Sequence, residues 1–177
     1  VQGNTVGIGE DAVSVVVTDA VVYLPLEDLV AQARFLVSSG MKEICLVAQE
    51  TTLYGVDLYG KKMLPQLLRK LSEIEELEWI RLLYCYPEEI TEELILEIRD
   101  NPKVCNYMDM PLQHSEDTIL KRMGRRTSKE QIKKTIRHIR ETIPDMVLRT
   151  SFITGFPGET RQDHDALLEF IDEMEFN

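Results

Sequence analysis

The residues that could do chemistry fall into four short segments, each of which directly follows an apolar run. These segments are residues 49–52, 84–88, 109–114 and 149–159. Together they offer carboxylates, an imidazole, a guanidinium and glycine backbone that a ligand can approach closely. If the apolar runs are parallel strands, all four segments lie at one edge of a sheet, where ligands bind in such folds. This convergence predicts a ligand site more strongly than any single motif does.

Three charged or titratable residues in these segments have two interpretations each. Glu50 is either an ordinary loop acid or part of the site, and His114 is either a structural histidine or a ligand contact. Arg149 stands in an apolar run, where a buried guanidinium needs a carboxylate or an anionic ligand to offset its desolvation. Its partner is therefore either a protein acid such as Glu50 or a bound ligand.

The segment LRTSFITGFPGET, residues 148–160, changes from strand-like to glycine-rich halfway along. Gly155, Pro157 and Gly158 end the apolar run, and Thr160 has the character of a helix cap. An ordinary strand-to-helix turn would explain this pattern. A backbone that a ligand approaches closely would explain it equally.

The elements that must position these segments are strands alternating with helices. Strands are predicted at 13–17, 44–48, 79–84, 104–108 and 146–153. Helices are predicted at 25–37, 64–74, 115–123 and 128–143, and two more begin at Thr91 and at Thr160. Apolar strands joined by connections of this length indicate a parallel sheet. The fold class is therefore α/β, with about five β-α units, and both a doubly wound sheet and a partial β/α barrel fit the pattern.

The amino-acid composition limits the classes of partner that the protein could bind. The 177 residues include 31 acidic and 20 basic ones, which gives a net charge of −11. This charge argues against direct nucleic-acid binding and favours a basic protein partner. No apolar run reaches the ~18 residues of a membrane span, and no export leader opens the sequence. We therefore expect a cytoplasmic protein that does not enter a membrane.

The three cysteines are too widely spaced for a local metal motif. Cys45, Cys85 and Cys105 form neither a CxxC nor a CxxxC pair. An odd, scattered set also argues against a disulfide framework. We predict that each is a small buried apolar residue and assign no metal ligand.

Four stretches resemble one family closely. LVAQETTLYGVDLYGKK, WIRLLYCYPEEIT, MDMPLQHSEDTILKRMGRRTS and LRTSFITGFPGET are similar to the radical S-adenosylmethionine (SAM) domain of the methylthiotransferases. Within that family they resemble the RimO branch, which modifies an aspartate of ribosomal protein uS12. The tRNA-modifying MiaB branch typically has Ser-Gly where this chain has His114-Ser115, and it lacks the TTLYGVDLYG loop.

The resemblance implies a partial parallel (β/α)6 barrel that holds SAM over a [4Fe–4S] cluster. Family members reduce SAM to a radical that takes hydrogen from the β-carbon of the target aspartate, and an electron donor reduces the cluster. A second [4Fe–4S] cluster belongs to a separate N-terminal domain, and a TRAM domain follows the barrel. Residues 1–177 would then be a radical SAM core fragment of a larger protein.

The resemblance also implies a set of SAM-binding residues. The methionine amino group would lie near 49–51, the ribose near 113–114, the carboxylate near Arg149 and Ser151, and the adenine near Ile153 and Gly155. In full, the set is Gln49, Glu50, Thr51, Gln113, His114, Arg149, Ser151, Ile153 and Gly155. The match is imperfect, because Ser151 replaces the first glycine of the superfamily pattern and Glu159 falls one residue late.

One departure from the family matters most. The identifying CxxxCxxC motif should lie between Val17 and Leu24, and that segment contains no cysteine. Either a metal-organised loop has been omitted from the sequence, or the protein has lost its cluster and binds a nucleotide or partner without radical chemistry. A tRNA methylthiotransferase of the MiaB type is a further alternative.

Overall fold

The structure is a computed structural model that describes residues 13–17 and 24–176. The described residues form five strands and seven α-helices. The strands are β1 (Val13–Val17), β2 (Glu43–Val47), β3 (Trp79–Leu82), β4 (Val104–Asp109) and β5 (Val147–Arg149). The helices are α1 (Leu26–Ser38), α2 (Val56–Tyr59), α3 (Leu64–Ser72), α4 (Glu92–Asp100), α5 (Asp117–Arg122), α6 (Lys129–Thr142) and α7 (Arg161–Met174). Short 3₁₀ turns at Thr51–Leu53 and Pro87–Glu89 follow β2 and β3.

The sheet runs in chain order and is parallel throughout. Its strands lie in the sequence β1-β2-β3-β4-β5, so each strand neighbours the next one along the chain. A doubly wound sheet reverses its strand order partway, whereas successive right-handed crossovers without reversal curve the sheet into a barrel. The order therefore decides between the two predicted folds and confirms a partial β/α barrel.

The core lies between the sheet and the helices. Alternate strand residues are buried against the helices because side chains of a strand point to opposite faces. The strand residues of this core are Ile44, Leu46, Ile80, Leu82, Val104, Met108 and Leu148. Helix α6 contributes Ile132, Ile136 and Ile139, each fully buried. Their spacing of three or four residues places them on one helical face, as the sequence predicts.

The opposite face of the sheet is polar. Arg81 on β3 donates a hydrogen bond of 2.6 Å to Glu43 on β2 and lies 4.7 Å from the ring centre of Tyr107 on β4. Cys45 is paired in register with Arg81. This face is therefore lined by an ion pair and an aromatic ring rather than by a second apolar layer.

Several predicted boundaries were wrong by two residues or more. Strand β3 ends at Leu82 instead of Tyr84. The strand predicted at 146–153 ends at Arg149, because the regular ladder from β4 breaks there: the N–H of Leu112 donates to the side chain of Thr150 and not to a backbone carbonyl. The segments that follow β4 and β5 pair again at an isolated parallel bridge between Gln113 and Phe152. Helix α5 begins at Asp117 instead of Ser115.

The predicted helix caps are confirmed at the two longest helices. Ser128 and Gln131 form a reciprocal capping box at α6, and Thr160 forms one with Asp163 at α7. Each box satisfies two backbone N–H groups that a helix start leaves unpaired. The glycine-rich segment therefore does lead into a helix, so its turn has a structural role as well. None of the described helices has the length and apolarity to cross a membrane.

Candidate functional site

The carboxyl ends of four strands are joined directly to one another. Backbone N–H groups donate to carbonyl oxygens of the next strand end, from Thr51 to Tyr84 (3.0 Å), from Cys85 to Asp109 (2.9 Å) and from Met110 to Arg149 (2.8 Å). The polar segments predicted from the sequence thus share one edge of the sheet, as expected. Side chains from β2, β3, β4 and β5 are positioned by this common frame.

Glu50 is a buried carboxylate with one oxygen bound and one oxygen free. Its Oε1 accepts hydrogen bonds from the backbone N–H groups of Thr52 (3.1 Å) and Tyr86 (3.3 Å), and from the Thr52 hydroxyl. Its Oε2 is buried and has no hydrogen-bond partner among the described residues. Burial raises the pKa of Glu50 to about 7, although the Thr52 and Tyr86 hydrogen bonds oppose the rise. A cation placed beside Oε2 would stabilise the charged form.

Arg149 differs from its prediction in two respects. Its side chain is 55% exposed, so it is not a cation enclosed in an apolar strand. Its carboxylate partner is Asp109, at the end of β4, and not Glu50. The hydrogen bond to Asp109 raises the pKa of Arg149, with lesser contributions from Tyr107 and Tyr84. Because guanidinium carries five N–H donors, the exposed part of Arg149 can still bind an anion.

Asp109 joins three strand ends. It is 2% exposed, its Oδ1 accepts from Arg149, and its Oδ2 accepts from the backbone N–H of Tyr84 at 3.3 Å. A buried carboxylate is normally paired in this way because an unpaired one is costly. Asp109 therefore fixes the guanidinium at the open edge of the sheet.

Two residues of this edge have left-handed backbones although they are not glycine. Tyr84 has φ of 55° and Gln113 has φ of 72°. A backbone of this kind costs about 1–3 kcal/mol and persists only where the surroundings impose it. At Gln113 they do so through hydrogen bonds with the chain after β5: its N–H donates to Ser151 (2.9 Å), and its carbonyl accepts from Ile153 (2.7 Å).

His114 is fully buried and faces the glycine-rich turn. Its Nδ1 accepts from the N–H of Glu116 (3.0 Å), and its Nε2 lies 3.7 Å from Oε1 of Glu159 without a hydrogen bond. Burial would raise the pKa of Glu159, but the N–H groups of Phe156 and Gly155 together with the nearby His114 lower that pKa. His114 thus lies between helix α5 and the turn, which supports a structural role for it.

Of the remaining predicted residues, Thr51 belongs to the hydrogen-bonded strand ends, whereas Gln49, Ile153 and Gly155 are exposed. Thr51 is buried, and its hydroxyl donates to the carbonyl of Leu83 (2.6 Å). Gln49 and Ile153 are exposed, and Ile153 is 44% accessible. Gly155 has φ of 73° and open space where a Cβ would be. A flat group could therefore lie against its backbone, although the conformation by itself also explains the glycine.

The cysteines do not form a metal site. Cys45 and Cys85 are buried as predicted, but the prediction was wrong for Cys105, which is only half-buried. Burial raises the pKa of Cys45 to about 11 and that of Cys85 well above its usual value, so both thiols are neutral. Among the described residues, no group of three or more His, Cys, Asp or Glu side chains could hold a metal ion. Residues 18–23, where the cluster loop was expected, lie outside the described part of the chain.

Sequence reasoning placed Tyr84, Asp109 and Glu159 in the polar segments but did not include them among the predicted site residues. The signal for Asp109 was available, because a carboxylate in the apolar run MDM needs a cationic partner. The left-handed backbone of Tyr84 left no such signal, since tyrosine ordinarily avoids that conformation.

The family model described as Radical SAM superfamily matches residues 13–171 of the chain. The chain belongs to the radical SAM superfamily. The curated relatives also confirm the resemblance to the RimO branch. Ribosomal protein uS12 methylthiotransferase RimO of Lachnoclostridium phytofermentans is 59% identical over 153 residues, which are 86% of this chain and 35% of that protein. The protein of the same name from Clostridium tetani is 52% identical over 151 residues, covering 85% of this chain and 34% of its own length.

Solved structures agree on the fold of this radical SAM chain. The radical SAM methyltransferase TsrM from Kitasatospora setae matches with a TM-score of 0.65 at 17% identity, over 86% of this chain and 27% of TsrM. Streptococcus suis SuiB matches with a TM-score of 0.58 at 13% identity, over 86% of this chain and 31% of SuiB. At such low identity these likenesses show the fold alone. The chain spans about a third of the length of the curated relatives it matches.

Proposed function

We propose that this chain is the catalytic core of a methylthiotransferase that, in its full-length protein, acts on the β-carbon of an aspartate in ribosomal protein uS12. The observation that carries the proposal is the 59% identity to a relative named for that activity. The same proposal includes a cytoplasmic location, the small ribosomal subunit or free uS12 as partner, and an electron donor. It also includes the reading of residues 1–177 as a core fragment.

The residues at the strand edge fit SAM. The free, buried Oε2 of Glu50 suits the ammonium of the methionine moiety, because it is a carboxylate oxygen with no other partner among the described residues. The exposed guanidinium of Arg149 suits the carboxylate. The open backbone at Gly155 suits the adenine. When bound and supplied with one electron by the donor, SAM would provide a radical that can remove hydrogen from an unreactive carbon.

In this proposal the residues of the chain bind SAM and orient it. Glu50 gains a cationic partner for Oε2, which lowers its pKa and holds the ligand at the end of β2. Asp109 keeps the guanidinium of Arg149 at the edge, so the ligand does not have to order that side chain on binding.

The residues present do not fit an iron–sulfur cluster. Thiolates are the usual ligands of such clusters, whereas the pKa values of the described cysteines are raised and these residues form no group that could hold a metal ion. We therefore derive no step through a cluster from these residues. The family implies two [4Fe–4S] clusters, and their ligands would have to come from outside the described residues. The absence of a CxxxCxxC motif is the one observation that favours a clusterless binding barrel instead.

The test compares two substrates under anaerobic conditions. A protein that contains this chain at the full length of its relatives is reconstituted with iron and sulfide and offered a uS12 loop peptide or tRNA. We expect iron uptake and methylthio transfer to the peptide aspartate. Modification of tRNA alone would show a MiaB-type substrate, and a protein that takes up no iron would be the clusterless barrel.

A further inference from the structure

Tyr84 is held in an unfavourable backbone conformation by three strand ends. Three described non-glycine residues have positive φ: Tyr84, Gln113 and Glu175. Glu175 ends helix α7, where left-handed residues are common. Tyr84 instead lies two residues beyond the end of β3. Its carbonyl accepts from the N–H of Thr51, and its N–H donates to the buried carboxylate of Asp109. The frame of the site therefore imposes this conformation.

The conformation places an aromatic ring in solvent at the edge of the site. The side chain of Tyr84 is 46% exposed, whereas Cys85 beside it is fully buried. Among the described residues, the ring makes no aromatic contact and the hydroxyl makes no hydrogen bond. Its phenol lies close enough to Arg149 to influence that guanidinium. Neither packing nor a hydrogen bond of the side chain thus accounts for a tyrosine here, where glycine or asparagine would fit with less strain.

We propose that Tyr84 contacts the polypeptide substrate and contributes to the choice of that substrate. The inference rests on the proposed function, since it assumes that a polypeptide carrying the reacting aspartate reaches this edge. A tyrosine ring offers a large rigid apolar surface with little entropy to lose, which suits contact with a peptide chain. In the strand order, the end of β3 lies between the end of β2, which leads to Glu50, and β5, which carries Arg149, so the exposed ring of Tyr84 borders the proposed ligand site.

The experiment uses the full-length protein and two substitutions of Tyr84. Tyr84→Asn removes the ring and keeps a residue that tolerates left-handed backbone, while Tyr84→Phe keeps the ring. Trp79→Asn is the matched control, because Trp79 is an aromatic residue at the other end of the same strand and is 51% exposed. A fluorescent uS12 loop peptide gives the affinity by anisotropy, and KM, SAM affinity and melting temperature are measured beside it.

We expect Tyr84→Asn to weaken peptide binding and raise KM by about tenfold or more, the scale of an interface residue that matters. Its SAM affinity should be unchanged and its melting temperature equal or higher, because the strain is relieved. Tyr84→Phe and Trp79→Asn should bind the peptide as the wild type does. If Tyr84 had only a structural role, its replacement would not weaken peptide binding while leaving the melting temperature equal or higher.

Three results would overturn the proposal. Unchanged peptide affinity in Tyr84→Asn would remove the contact, and weaker SAM binding with an unchanged KM would make Tyr84 a cofactor contact. A lower melting temperature with a parallel loss of every other property would make it structural. A wild-type protein that binds the peptide without modifying it would refute the proposed function instead, and the anisotropy comparison would still decide the contact.

Discussion

Replacing Glu50 by glutamine should stabilise the ligand-free chain at alkaline pH while weakening its ligand binding. Glutamine keeps an oxygen that can accept the hydrogen bonds now made by Oε1, and it removes the charge that lacks a partner at Oε2. Burial raises the pKa of Glu50 from 4.5 to about 7. Between these values the folded chain holds the proton more tightly than the unfolded chain, so stability falls as pH rises through this window.

The size of the effect follows from that difference. The difference between a pKa of 4.5 and one of about 7 corresponds to about 3 kcal/mol. Since solvent partly screens the group, we expect Glu50→Gln to raise the free energy of unfolding by about 2 kcal/mol near pH 8. Near pH 5 the folded Glu50 is already neutral, and the gain should fall below about 1 kcal/mol.

Urea unfolding of the 177-residue chain measures this directly, because Trp79 is its only tryptophan and reports on the barrel by fluorescence. The exposed Glu75, changed to glutamine, is the control and should give no gain at either pH. A gain for Glu50→Gln that is equal at both pH values, or a loss near pH 8, would refute the assignment of an unpaired buried charge.

Two further predictions concern the frame of the site. Arg149→Leu should lower the free energy of unfolding by about 1–3 kcal/mol, because it leaves Asp109 buried without its cation. It should also weaken SAM binding. A normal melting temperature would contradict the pairing of Arg149 with Asp109. Gly55→Ala should cost more stability than Gly60→Ala in thermal unfolding. Both glycines have left-handed backbones, which alone cost about 1–2 kcal/mol, but only at Gly55 would a Cβ lie 2.6 Å from Met63. Equal losses would show that Met63 moves aside.

Much of the fold could be predicted because it depends on periodic patterns. The apolar stripe of α6 and the capping residues Ser128 and Thr160 are local signals, and the structure contains them as expected. The strand order could not be read from periodicity, since a doubly wound sheet and a barrel use the same local elements. The end of β5 was missed because the ladder from β4 breaks where the N–H of Leu112 donates to the side chain of Thr150, and this contact between distant residues leaves no local signal.

The sequence predicted which edge of the sheet holds the site, but it did not predict which side chains pair with each other there. Parallel topology brings the ends of the strands together, so Glu50 and Arg149 were expected at the same edge. Which carboxylate pairs with Arg149 depends on register: β4 and β5 place Asp109 directly opposite it. The left-handed backbone of Tyr84 depends on hydrogen bonds from two other strand ends, and no local pattern encodes them.

If Glu50 receives the amino group of SAM, as proposed, the preference of the chain for that group should depend on this one carboxylate. The 177-residue chain and its Glu50→Gln variant are titrated with SAM and with an analogue that lacks the amino group, followed by ligand-observed NMR. This chain contains no CxxxCxxC motif whose cluster could compete for that group. We expect the wild-type chain to bind SAM about tenfold more tightly than the analogue, the scale of a charge-assisted hydrogen bond. We expect the variant to bind both ligands equally. A variant that still prefers SAM to the same degree would contradict this role of Glu50.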